Sequence, residues 1–129
     1  MQAFRKNIFG TLALLALSAC VTVHSTRLGA GVIHAPVPPD RVAIYRNAQQ
    51  INGRYEEVAL ISAAGDYSYT NEEQMYAKMR EKAGALGANG ILLDSMTEPT
   101  TGAKVASAFI GTSAERTGKA VAIYVGGSQ

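Results

Sequence analysis

Asp94 and Glu98 are the side chains best spaced for acid–base chemistry, four residues apart at the exit of an apolar run, with Tyr67 and Tyr69 as further proton-bearing groups upstream. A carboxylate pair works as acid and base when burial drives the two pKa values apart. No histidine follows Asp40 to relay a proton, and no activated nucleophile can be identified, so an acidic residue at a strand exit reads as a solvated turn residue. The two imidazoles, His24 and His34, lie ten positions apart without a neighbouring carboxylate cluster. A metal site needs convergent ligands held by a fold, so these read as solvated histidines of a tether, with no metal site. Gly102, Gly111 and Gly118 lack the spacing and the lysine of a phosphate-binding loop. The sequence therefore predicts no catalytic residue and no cofactor, and leaves one reactive group to account for, the thiol of Cys20.

The residues before Cys20 fall into three parts: basic Arg5 and Lys6, an apolar stretch from Ile8 to Leu17, and small Ser18 and Ala19. That is the order of a secretory leader. The apolar run is interrupted by Gly10 and Thr11 and is shorter than the roughly 20 residues a membrane-spanning helix needs. Leu17-Ser18-Ala19-Cys20 resembles the lipobox of bacterial lipoproteins. The resemblance implies that Leu17, Ser18 and Ala19 are read by the signal peptidase and that residues 1–19 are removed. Cys20 then becomes the first residue, carrying a diacylglycerol thioether and usually an acylated amino terminus. Two or three acyl chains anchor durably where one would be marginal, at about 0.8 kcal/mol per buried methylene. Val21 follows the cysteine in place of the Asp that resembles an inner-membrane retention signal, which implies the outer membrane, facing the periplasm.

A chain of 129 residues, 47% of them hydrophobic, has room for one small domain and not for a multi-domain enzyme. Loss of Arg5 and Lys6 with the leader leaves basic and acidic residues in balance, so the formal charge of +2 is no footprint of nucleic-acid binding. Cys20 is the sole cysteine, so no intrachain disulfide supports the fold. Residues 20–40 combine Thr22, Ser25 and Thr26, the small run Gly29-Ala30-Gly31, and Pro36, Pro38 and Pro39. They read as a tether, flexible at first and semi-rigid near the prolines, letting the domain stand off the membrane.

The expected domain is 41–129, an α+β fold with a small mixed sheet of about four strands in the order β-β-α-β-β and one main amphipathic helix. Arg41–Tyr45 and Tyr55–Ser62 read as an antiparallel pair with Asn52-Gly53 as a turn signal, and Gly65-Asp66 as the break after them. Thr70-Asn71-Glu72-Glu73 reads as a capping box opening a helix from Asn71 to Leu86, its apolar stripe being Met75, Tyr76, Met79, Ala83 and Leu86. Gly87 is placed to close that helix, and Asn89-Gly90 leads into a strand at Ile91–Asp94, so a βαβ crossover fits. The last strand, Lys119–Val125, is apolar on both faces, so a second cover is required. The candidates are Ala103–Gly111, the tether or a second copy, with the cover from within the chain preferred.

The run Ala77–Asp94, with its Leu-Gly-Ala-Asn signature, resembles small bacterial envelope and cytosolic domains, among them the Rcs envelope-stress sensor lipoproteins and the YbjQ-type heavy-metal-binding family. The resemblance implies a fold more than an activity. It lacks the cysteines of a disulfide-stapled sensor, and the domain read as 41–129 holds only hard oxygen ligands for a metal. The sequence thus points to a non-enzymatic lipoprotein whose domain meets membrane lipid through Cys20 and presents a surface to another envelope protein or to itself. Tyr45, Tyr55, Tyr67 and Tyr69 are the expected contact residues, since tyrosine gives large contact area at small entropic cost. The alternative is a periplasmic module that binds a small molecule or ion through the loop 97–118.

Overall fold

The structure, a computed structural model, describes residues 20–29, 31–110 and 114–126. It is an α+β fold with five strands, β1 (Val21–Arg27), β2 (Ala43–Tyr45), β3 (Tyr55–Asp66), β4 (Gly90–Thr97) and β5 (Glu115–Val125). Two helices, α1 (Glu72–Ala85) and α2 (Thr101–Ile110), complete it. The sheet runs β1-β3-β5-β4-β2. β5 is antiparallel to both its neighbours and β1 is antiparallel to β3, whereas β2 and β4 pair in parallel. α1 carries the chain from β3 to β4 across β5, the expected βαβ crossover with a strand inserted between its two arms.

Two features of this sheet correct the four-strand order. Val21–Arg27, expected as flexible tether, is an edge strand whose alternate residues Val21 and Val23 pack on the core while Thr22 and His24 face out. β2 does not form a hairpin with β3: its partner is β4, and the Asn52-Gly53 turn, with Gly53 at φ +98°, only redirects the chain. Gly65 and Asp66 do not break the chain either, because they finish the long β3.

α1 begins one residue later than the periodicity suggests, capped by Asn71. Its side chain accepts from the Gln74 amide while Gln74 Oε1 accepts from the Asn71 amide, each at 2.9 Å. The capping pair is therefore Asn71 and Gln74; Thr70 instead donates its hydroxyl to the Asp66 carbonyl and closes the preceding turn. Met75, Met79 and Ala83 recur every four residues and are fully buried against Ile61, Ile91 and the alanines of β3 and β5. A bulge between Glu57 and Ala59 turns two consecutive side chains, Val58 and Ala59, into that core.

The segment 31–38 is also part of the domain. The Val37 amide donates to the Gly84 carbonyl at 2.8 Å, and the His34 ring stacks on Tyr124 with centroids 3.5 Å apart and 6° between planes. Proline-rich backbone has few internal hydrogen bonds to satisfy, so it lies extended along the end of α1 without needing a strand partner. A semi-rigid spacer at this point is thereby corrected: Val37 and His34, half-buried between exposed prolines, fasten the segment to the domain.

Candidate functional site

Every strand end on one side of the sheet can be placed by register. Val21 lies beside Gly65, Gly65 beside Arg116, and Thr97 beside Thr117. Cys20, exposed and directly before β1, therefore shares its end of the sheet with the turn after Asp66, the exit of β4, α2 and the entry of β5. Leu17, Ser18 and Ala19, the residues expected to direct processing, lie outside the described residues.

Charges knit this end together. Glu98 accepts from Arg116 Nη1 at 2.9 Å and from Lys104 Nζ at 3.2 Å, and the Lys104 ammonium sits 4.1 Å from the centre of the Tyr67 ring. Hydrogen bonding to Tyr67 first and Glu98 second holds the Lys104 ammonium above its ordinary pKa, so it stays charged at neutral pH. Arg116 is only 8% exposed, and its Nε has no partner among the described residues, which leaves Glu98 as the anion that offsets its burial. Glu98 thus spends its oxygens on cations. Asp94, its expected acid–base partner, stands exposed at a bulge between Leu93 and Ser95, and the pair forms no dyad.

α2 hangs on this network by its polar side. None of its residues is buried, and Val105, Phe109 and Ile110 are exposed, Phe109 by 86%. The expected cover for the second sheet face is therefore not provided by 103–110; Gly111 lies outside the described residues. α2 is held at this end of the sheet through Lys104, which reaches Glu98 and Tyr67. On that face Ile123 is fully buried, and the part left open carries a row in register across all five strands, Thr26, Leu60, Val121, Leu92 and Tyr45. Leu60 is half exposed there, beside an open depression of about 500 Å³ that His24, Asp94 and Lys119 also line. None of the described residues of the loop 97–118 lines that depression.

The expected contact tyrosines do not converge. Tyr67 and Tyr69 lie at the Cys20 end, Tyr69 being 74% exposed, whereas Tyr55 pairs with Val125 at the far end and Tyr45 with Leu92 on the edge strand β2. The histidines correct their reading as tether residues: His24 is on β1, and His34 is stacked on Tyr124 and 3.5 Å from Glu56. Among the described residues, no three His, Cys, Asp or Glu side chains cluster as metal ligands, and no helix is long and apolar enough to cross a membrane.

The Leu-Gly-Ala-Asn signature has a structural use that spacing alone reveals only in part. Gly87 adopts φ +86° to close α1, and Ala88 is fully buried where helix meets sheet. Asn89 does more than turn the chain: its Nδ2 donates to the Val125 carbonyl at 3.0 Å and its Oδ1 accepts from the Val125 amide at 2.7 Å. The side-chain amide stands in for a strand partner beyond the end of β4.

No family model and no curated protein matches this chain. A solved structure of similar fold is that of a Francisella virulence factor, FvfA, in its orthorhombic crystal form. The two are 12% identical, with a TM-score of 0.55 over 79% of this chain and 96% of that one. At that identity the likeness is one of fold.

Proposed function

We propose that this chain is a lipid-anchored protein of the bacterial envelope, held through Cys20 in the outer membrane and facing the periplasm, without catalytic activity of its own. Its α+β domain serves protein interaction or envelope sensing and maintenance. The observation that carries this reading is the lipobox order Leu17-Ser18-Ala19-Cys20 ending at an exposed cysteine that abuts the folded domain without packing into it. Acyl groups on such a thiol displace no core contact. The engagement of Glu98 with Arg116 and Lys104 supports a non-catalytic role, because a carboxylate fixed between two cations is a poor proton shuttle.

An alkaline carbonate wash of membranes from cells producing the intact chain tests this. The protein is expected to stay with the membrane through the wash and to leave it only in detergent, as two or more buried acyl chains require. Release by carbonate alone would show a peripheral protein held by charge, and the reading would fall.

A further inference from the structure

Cys20 is followed at once by the first residue of β1, so a single residue step, about 3.3 Å of chain, lies between the cysteine and the sheet. With the acyl chains in the hydrocarbon, the Cys20 backbone sits at the level of the lipid headgroups, and the sheet end that shares its register is brought to the same level. That end carries α2. On its helical wheel Val105, Phe109 and Ile110 lie on one side as an exposed stripe, while half-buried Lys104 and Ser107 lie on the other, Lys104 being pinned to Tyr67 and Glu98. The stripe therefore faces away from the domain, and Tyr69 is exposed at the same end, an apolar ring with a polar tip of the kind that suits a membrane interface.

Resting on the lipid-anchor reading, we propose that α2 and Tyr69 lie in the phospholipid surface that holds the acyl chains of Cys20, seating the domain end-on and flush against the bilayer. A second copy of the chain is a poorer occupant. Three exposed side chains on a helix of ten residues offer on the order of 400 Å², half of the ~800 Å² per partner in a specific protein interface. A bilayer needs no complementary shape, and a short amphipathic helix beside an acyl anchor is the two-signal arrangement that holds proteins at membranes. The open row on the sheet face, running from Thr26 to Tyr45, is left free to face the periplasm.

The chain contains no tryptophan, so a single introduced indole reports its own surroundings. The test uses the full chain, produced in cells and reconstituted into vesicles of phosphatidylethanolamine and phosphatidylglycerol with brominated acyl chains. One sample carries Phe109→Trp. The other carries Asn52→Trp, exposed in the turn before β3 and roughly 35 Å away along that strand. Both positions are exposed, and circular dichroism verifies that both variants fold. Intact mass reads the lipid on Cys20 in the same samples. The expected result is a lipid adduct in both, with F109W fluorescence quenched about twofold or more and N52W unchanged. An adduct with equal, weak quenching at the two positions overturns the seating and leaves the anchor standing, and would point to a protein or solvent over α2. Absence of the adduct overturns the anchor reading and the seating with it.

Discussion

Replacing Cys20 by serine is expected to move the protein from the membrane pellet to the soluble fraction without unfolding it. The two acyl chains of a diacylglycerol thioether bury on the order of thirty methylenes at about 0.8 kcal/mol each, a contribution of about 20 kcal/mol or more. What remains in the serine variant is the stripe of α2 with Tyr69. At ~1.5–3 kcal/mol per fully buried apolar side chain, this gives weak and reversible attachment. On the proposed reading such a variant keeps residues 1–19, whose apolar run Ile8–Leu17 is shorter than the roughly 20 residues a spanning helix needs. The fold should be untouched, because Cys20 is exposed, precedes β1 and belongs to no packed cluster. Sedimentation of membranes, with circular dichroism on the released protein, reads both halves of the prediction. C20S protein that stays in the pellet would mean that something other than acylation holds it.

Gly87→Ala should destabilise the domain by about 3 kcal/mol, from two causes acting at one atom. At φ +86° a residue with a Cβ is strained, at a cost of about 1–2 kcal/mol. The added carbon would also meet the backbone carbonyl oxygen of His34, which cannot swing aside as a flexible side chain could. His34 is itself held by its stack on Tyr124, and the same segment is tied by Val37 to Gly84. Relieving the collision therefore means lifting 31–38 from the end of α1. For a domain of this size a loss of about 3 kcal/mol lowers the urea midpoint by roughly 1–2 M. An unchanged midpoint would contradict the packed position of this segment and return it to the status of a free tether.

What the residues disclosed in advance was local. α1 was legible to within a residue at each end because its cap, its stripe and its closing glycine recur at positions four apart: Asn71, Met75, Met79, Ala83 and Gly87. The capping partner was misread, since Thr70 and Asn71 are both good caps and only the backbone direction after Asp66 decides between them. The apolar parts of β4 and β5, Ile91–Asp94 and Lys119–Val125, were legible, but their extensions Ser95–Thr97 and Glu115–Gly118 were not. The alternation of Val21 and Val23 with Thr22 and His24 was present too, but it is short, polar on one face and followed by prolines, the composition of a linker. Pairing was not legible at all. That Ala43–Tyr45 joins β4 rather than β3 is decided by contacts far apart in sequence, and a turn signal such as Asn52-Gly53 says only that the chain bends.

The candidate site divides in the same way. Cys20 could be singled out because basic, apolar and small residues precede the thiol in the order of a lipobox leader. Its proximity to α2 could not, because that depends on the register Val21–Gly65–Arg116. Glu98 was noticed as a carboxylate, but its partners Arg116 and Lys104 come from two other elements, and the tyrosines, chosen by type, were scattered by the fold.

Lipid at Cys20 is tested most directly by the tryptic peptides of the protein isolated from native membranes. Cleavage after Arg27 yields a peptide that starts at Cys20 if the leader has been removed, and at Asn7 if it has not. The predicted result is Cys20–Arg27 carrying a diacylglyceryl group on sulfur and an acyl group on its amino nitrogen, with no peptide from residues 7–19. An unmodified peptide running from Asn7 through a free Cys20 to Arg27 would contradict it.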